Sequence, residues 1–128
     1  MEKSFRELIV WQQSLDLVEL VYRTTEDLPK SEDYGLKSQM RRAAVSIPSN
    51  IAEGSGRGTT KDYKGFLRVA KGSARELETL IEISIRVGHL DHARTLELTA
   101  GLTSVSKLLN RLIASLGDGR ADNDRASS

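Results

Sequence analysis

The sequence predicts an all-α protein: an antiparallel up-down-up-down four-helix bundle whose second helix is kinked at Pro48. Three observations carry that prediction. Apolar residues recur at steps of three and four in four separate segments. The segments are joined by short loops marked with helix-stopping and helix-capping residues. Two prolines and few aromatics do not suit a sandwich or barrel of many short strands. At 128 residues, 38% hydrophobic and 29% charged, the chain can build one modest core. We expect one domain over residues 1–117 and a disordered tail over 118–128, where apolar residues nearly vanish.

Helix one is expected over about residues 6–27, closed by Leu28-Pro29, because the residue before proline resists the helical basin. Its apolar residues form two stripes. Leu8, Trp11, Leu15, Val18 and Tyr22 make one, and Val10, Leu17, Val21 and Leu28 make the other. An outer helix of a monomeric bundle needs one stripe, so the second is a candidate oligomer interface. An alternative arrangement is a three-helix core with helix one docked on another subunit.

Helix two is expected to start near residues 31–33, where Ser31 supplies a cap and Glu32 and Asp33 supply negative charge. Leu36, Met40, Ala43, Ala44, Ile47 and Ile51 share a face that runs through Pro48. Restarting a helix there would make Ile47 an N-cap, for which it is poorly suited, so the helix should bend and continue to Gly54-Ser55-Gly56. Helix three should begin at Thr59 or Thr60, with Thr59 and Asp62 spaced as a capping box, and end at Gly88. Tyr63, Phe66, Leu67, Ala70, Ala74, Leu77, Ile81 and Ile85 would face the core. Leu80, Ile83 and Val87 add a second apolar face and join the candidate interface. Helix four, over about 91–116, has Leu98, Leu102, Val105, Leu109, Leu112 and Leu116 as its stripe.

Without cysteine there is no disulfide or thiolate chemistry. No signal-peptide-like or membrane-spanning apolar run is present, so a cytoplasmic protein is expected. His89 and His92 flank Asp91, but one pair of imidazoles beside a carboxylate does not make a metal site. Gly54 to Lys61 lacks the Gly-Lys-Ser/Thr order of a phosphate loop and follows a helix rather than a strand. No nucleophile elbow or paired-metal carboxylate cluster is visible either. We expect no enzyme activity, no cofactor and no metal.

The segments Phe5-Arg6-Glu7-Leu8-Ile9-Val10-Trp11-Gln12, Tyr34-Gly35-Leu36 with Gln39, Arg41-Arg42-Ala43-Ala44-Val45-Ser46-Ile47-Pro48-Ser49-Asn50-Ile51-Ala52-Glu53-Gly54 and Gly72-Ser73-Ala74-Arg75-Glu76-Leu77-Glu78-Thr79 carry a resemblance. Together they resemble the four-helix bundle proteins encoded in intervening sequences of bacterial 23S ribosomal RNA genes, also labelled S23 ribosomal protein-like. The resemblance implies an antiparallel bundle and a ring-like homopentamer. It extends to the accessory proteins of diversity-generating retroelements, whose similar basic pentamer implies nucleic-acid binding.

The surface pattern that suggests a partner is on helix three. Lys61, Lys64, Arg68, Lys71 and Arg75 alternate steps of three and four, within roughly an 80° sector of the wheel. From Arg57 to Arg75 there are six cations and one acid, Asp62, before Glu76, Glu78 and Glu82 reverse the sign. This reads as a phosphate-tracking stripe about 20 Å long, with Arg41, Arg42 and Arg57 as secondary contacts. It reads equally as a solvated face, or as cations paired with acids of a neighbouring subunit. The expected function is non-enzymatic binding of RNA or other nucleic acid by a self-associating bundle. The alternative is a homo-oligomeric protein-interaction scaffold without nucleic-acid binding.

Overall fold

The computed structural model describes residues 4–117, so the expected disorder of the tail lies outside the described residues. Among these there are four α-helices and no strand: α1 (Ile9–Thr25), α2 (Leu36–Ser55), α3 (Thr60–Arg86) and α4 (His92–Ser115). Each helix packs on two others, α1 and α3 both against α2 and α4, while the diagonal pairs stay apart. Side-chain meetings fix the registers. Gly54 meets Tyr63 and Phe66, Ser46 bonds Ser73 at 2.7 Å, and Met40 lies 3.6 Å from the Ser84 hydroxyl, so α2 and α3 run in opposite senses. Gln13 accepts from Ser104 and Leu17 lies against Gly101, so α1 and α4 do the same.

Local chemistry sets the helix ends. Thr59 Oγ1 accepts from the Asp62 amide at 3.1 Å, as its spacing predicts. Asp91 Oδ1 caps α4 by accepting from Arg94 N at 2.7 Å. Beyond α3, Gly88 takes a φ of +83°, which lets the His89 and Leu90 amides return to the Ser84 carbonyl. Two starts differ from expectation. Residues Phe5–Glu7 form a separate 3₁₀ turn, because Leu8 is extended and α1 begins only after it. Residues Lys30–Glu32 form another, and α2 starts at Leu36, where Glu32 Oε1 reaches forward to accept from the Leu36 amide.

Helix α2 runs through Pro48 without interruption. Proline leaves the Ala44 carbonyl without its usual donor. On the adjoining carbonyls, Ser49 Oγ donates to Val45 O and Asn50 Nδ2 to Ser46 O, each at 2.8 Å.

The structure corrects the oligomer interface expected on α1. Val10, Leu17, Val21 and Leu28 are at most 5% exposed, and they pack in the chain's own core, as does Leu80 of α3. Buried inside one copy, they offer nothing to a second. The other stripe is only partly covered: Leu8, Trp11 and Val18 are half-buried against the same core, and Leu15 and Tyr22 are exposed. The reason lies in Ser14, Thr24 and Thr25, which complete the core stripe of α1. Ser14 donates to Trp11 O at 2.7 Å and Thr25 to Val21 O at 2.7 Å, so their hydroxyls enter the core already bonded. Ile83 and Val87 remain exposed, as an interface requires.

Three glycines separate packing from propensity. A Cβ at Gly54 would fall 2.8 Å from Phe66 Cβ, so Gly54→Ala should destabilise the fold by about 1–3 kcal/mol through overpacking. At Gly65 and Gly72, inside α3, a Cβ meets nothing within 4 Å. Alanine at either should stabilise by about 0.5–1 kcal/mol, because glycine costs a helix that much. Chemical denaturation of the three variants checks both signs.

Candidate nucleic-acid interface

Helix α3 turns its apolar residues Leu67, Ala70, Ala74, Leu77 and Ile81 inward, and the 100° step per residue carries the cations outward. Lys61, Arg68 and Arg75 are exposed, and Lys64 and Lys71 are half-buried. Lys64 Nζ donates to the Gly117 carbonyl just beyond α4. Ion pairs among the described residues join Lys37 to Asp33, Arg41 to Glu26, Arg57 to Glu53, Arg86 to Glu82 and Arg94 to Asp27, and the His89 ring meets Glu32. None involves the five stripe cations. The stripe therefore presents its charge to solvent instead of neutralising it within the described chain.

The structure separates the secondary candidates from that stripe. Arg41 is committed to the α1–α2 contact: its Nε donates to Thr25 Oγ1 at 2.9 Å, and Nη2 donates to Tyr22 O at 3.2 Å and Glu26 Oε1 at 2.7 Å. Its guanidinium also lies 4.3 Å from the Tyr22 ring centre. Arg41 thus serves first as a bridge between α1 and α2. Arg57 lies 4.8 Å from the Phe66 ring centre and 2.7 Å from Glu53, committed at the α2–α3 junction. Arg42 is exposed on α2, beside a polar cleft shared with Gln39, Ser46, Ser73 and Glu76, and does not join the α3 row.

Two cations that the sequence reading passed over stand on α4. Lys107 and Arg111 are exposed, and Lys107 lines the groove between α3 and α4. Their separation by four residues, one helical turn, was the available signal. The apolar stripe of α4 dominates its pattern and masks the pair.

The other end of the bundle is chemically different. His89 Nε2 and Glu32 Oε2 are 3.0 Å apart, and Arg94 meets Asp27 at 2.6 Å, so the α3–α4 junction is tied to the α1–α2 connection. No group of three or more metal-ligating side chains occurs among the described residues. No described helix is long and apolar enough to cross a membrane.

Comparison with known proteins accords with this architecture. Residues 6–111 match the 23S rRNA-intervening sequence protein family, and the chain belongs to it. The crystal structure at 1.70 Å of a protein with unknown function from the S23 ribosomal protein family of Bacteroides thetaiotaomicron VPI-5482 is similar, with a TM-score of 0.73. The two share 23% identity, and the match covers 82% of this chain and 98% of that one. At that identity the likeness speaks for the fold. No curated protein matches the chain.

The Arg41 network gives a pH test. The hydrogen bond from Arg41, then the charges of Lys37 and Arg41, hold the Glu26 carboxyl below its ordinary value. A carboxylate depressed in the folded state stabilises above its unfolded value, and that contribution is lost as pH falls through the folded value. Glu26→Gln should therefore lower the denaturation midpoint at about pH 7, and the difference should narrow as pH falls below the ordinary glutamate range.

Proposed function

We propose that this member of the 23S rRNA-intervening sequence family is a non-catalytic, cytoplasmic nucleic-acid-binding protein that grips RNA through its phosphate backbone. The observation that carries the reading is the α3 stripe: Lys61, Lys64, Arg68, Lys71 and Arg75 make no ion pair with any described residue. Cations on one rigid helix exchange condensed counterions for phosphate contacts, a driving force that needs no sequence-specific readout. Binding is accordingly salt-sensitive and weakly selective.

Self-association is the second part of the proposal. Leu15 and Tyr22 on α1, and Ile83, Val87 and Leu96 near the α3–α4 junction, stand exposed at 38%, 42%, 40%, 55% and 67%. Apolar surface on two sides of one small bundle supports contact between copies. The family resemblance implies five. Repetition of the stripe around such an assembly multiplies individually weak contacts by raising their effective concentration.

Reversing Lys61, Arg68 and Arg75 to glutamate should weaken RNA binding at least roughly hundredfold at low salt and flatten the log–log salt slope by about 2 to 3. Fluorescence anisotropy across a salt series measures both. Affinity that does not change with salt would refute phosphate binding. For self-association, Leu15→Glu combined with Val87→Glu should yield monomers on a sizing column with unchanged helical circular dichroism. A monomeric unmodified chain would end that half of the proposal.

A further inference from the structure

We propose that the cleft between α2 and α3 takes the edge of an unpaired guanine in RNA held on the α3 stripe. This inference rests on the nucleic-acid reading above. It adds one position of base selectivity to a grip otherwise indifferent to sequence. The cleft encloses about 310 Å³, at the small end of ligand pockets. Gln39 and Arg42 of α2 and Glu76 of α3 stand exposed at its rim. At its floor Ser46 is half-buried and Ser73 is 8% exposed.

Floor and rim both hold hydrogen-bonding capacity that the chain leaves unused. Ser49 and Ser84 turn their protons to carbonyls of their own helices, Val45 O and Leu80 O. Ser73 instead donates across to Ser46 Oγ at 2.7 Å, and Asn50 Nδ2 donates to the same oxygen at 3.0 Å. Ser46 thus accepts twice, and its own proton meets no described acceptor. At the rim, Arg42 and Glu76 enter no ion pair among the described residues. A guanidinium only donates and an ionised carboxylate only accepts. The cleft therefore suits a ligand with acceptors toward α2 and donors toward α3.

Guanine has that division, with the O6 and N7 acceptors on one edge and the ring N–H and exocyclic amino donors on the next. Arg42 donates to the first pair and Glu76 accepts from the second. Adenine would set its amino group against Arg42 and a ring lone pair against Glu76. Uracil flanks its one N–H with two carbonyls, and cytosine offers a carboxylate a single amino group. The base is unpaired, because RNA helices bury these edges and loops expose them. A surface path joins stripe and cleft. Arg68, Gly72 and Glu76 follow at four-residue steps, each about 40° further round α3. Gly72 is exposed, and the place of its missing Cβ is open space, so nothing stands between the stripe and the rim.

The experiment measures, by anisotropy at low salt, binding of four labelled uracil decamers that differ only in the central base. The unmodified chain should bind the guanine probe at least roughly tenfold tighter than the adenine probe. Glu76→Gln removes a negative charge, so it should tighten every probe slightly yet lose most of the guanine preference. Arg42→Gln should weaken every probe and lose that preference too. Helical circular dichroism is the folding control. Equal affinity for the four probes overturns the guanine assignment and leaves the phosphate grip standing. A preference that survives either substitution overturns the cleft as its seat. Guanosine monophosphate should displace the guanine probe only at roughly hundredfold higher concentration than the unlabelled decamer, because it lacks the further phosphates that the stripe holds. Equal potency assigns the cleft to a free nucleotide and overturns the RNA source. No binding to any probe overturns the nucleic-acid reading itself.

Discussion

The packing of α3 on α2 fixes everything that happens on the outer face. A helix is free to rotate about its own axis until specific contacts stop it, and here three contacts along one line do so. Gly54 admits Tyr63 and Phe66 at one end, Ser46 and Ser73 share a hydrogen bond midway, and Met40 receives Ser84 at the other. With the inner face set, the helical period dictates where Lys61, Arg68 and Arg75 point. The charged face is thus a consequence of the buried one.

Much of this was legible in the sequence because it depends on local chemistry. The Thr59 cap, the glycine after α3 and the continuation through Pro48 are decided within a few residues of where they occur. The rotation of α1 was not legible, because it depends on what hydroxyls do once buried. Ser14, Thr24 and Thr25 count as polar in a pattern, yet each is buried, with Ser14 and Thr25 bonded back to α1's own carbonyls. Reading them as surface residues turns the helix outside in. The bridging role of Arg41 was not legible for a related reason. Its partners Tyr22, Thr25 and Glu26 are far off along the chain, and only the α1–α2 contact brings them together.

A net charge of +1 conceals this organisation. Near the loops that join α1 to α2 and α3 to α4, cations and carboxylates are interleaved and pair: Lys37, Arg41 and Arg94 each find an acid. From Lys61 to Arg75 the cations do not pair with any described acid. Exposed pairs contribute little to stability, so the pairing at one end matters less for what it stabilises than for the potential it cancels. What survives is a field concentrated on one part of one side, and such local fields, more than net charge, govern encounters with polyanions.

The same map bears on whether assembly and binding can coexist. Ile83 and Val87 occupy the C-terminal turns of α3, past the acids Glu76, Glu78 and Glu82, whereas the cations occupy its N-terminal half. Leu15 and Tyr22 lie on α1, which does not touch α3. A contact between copies built from these apolar residues would leave the cation stripe uncovered. A contact built on the cations themselves would need a partner surface rich in acids. Asp16 and Glu19 on the outside of α1 offer a short run, and Glu76, Glu78 and Glu82 on the C-terminal half of α3 offer a longer one. A contact of that second kind would set the two halves of α3 from different copies against each other and would compete with a polyanion for the same cations.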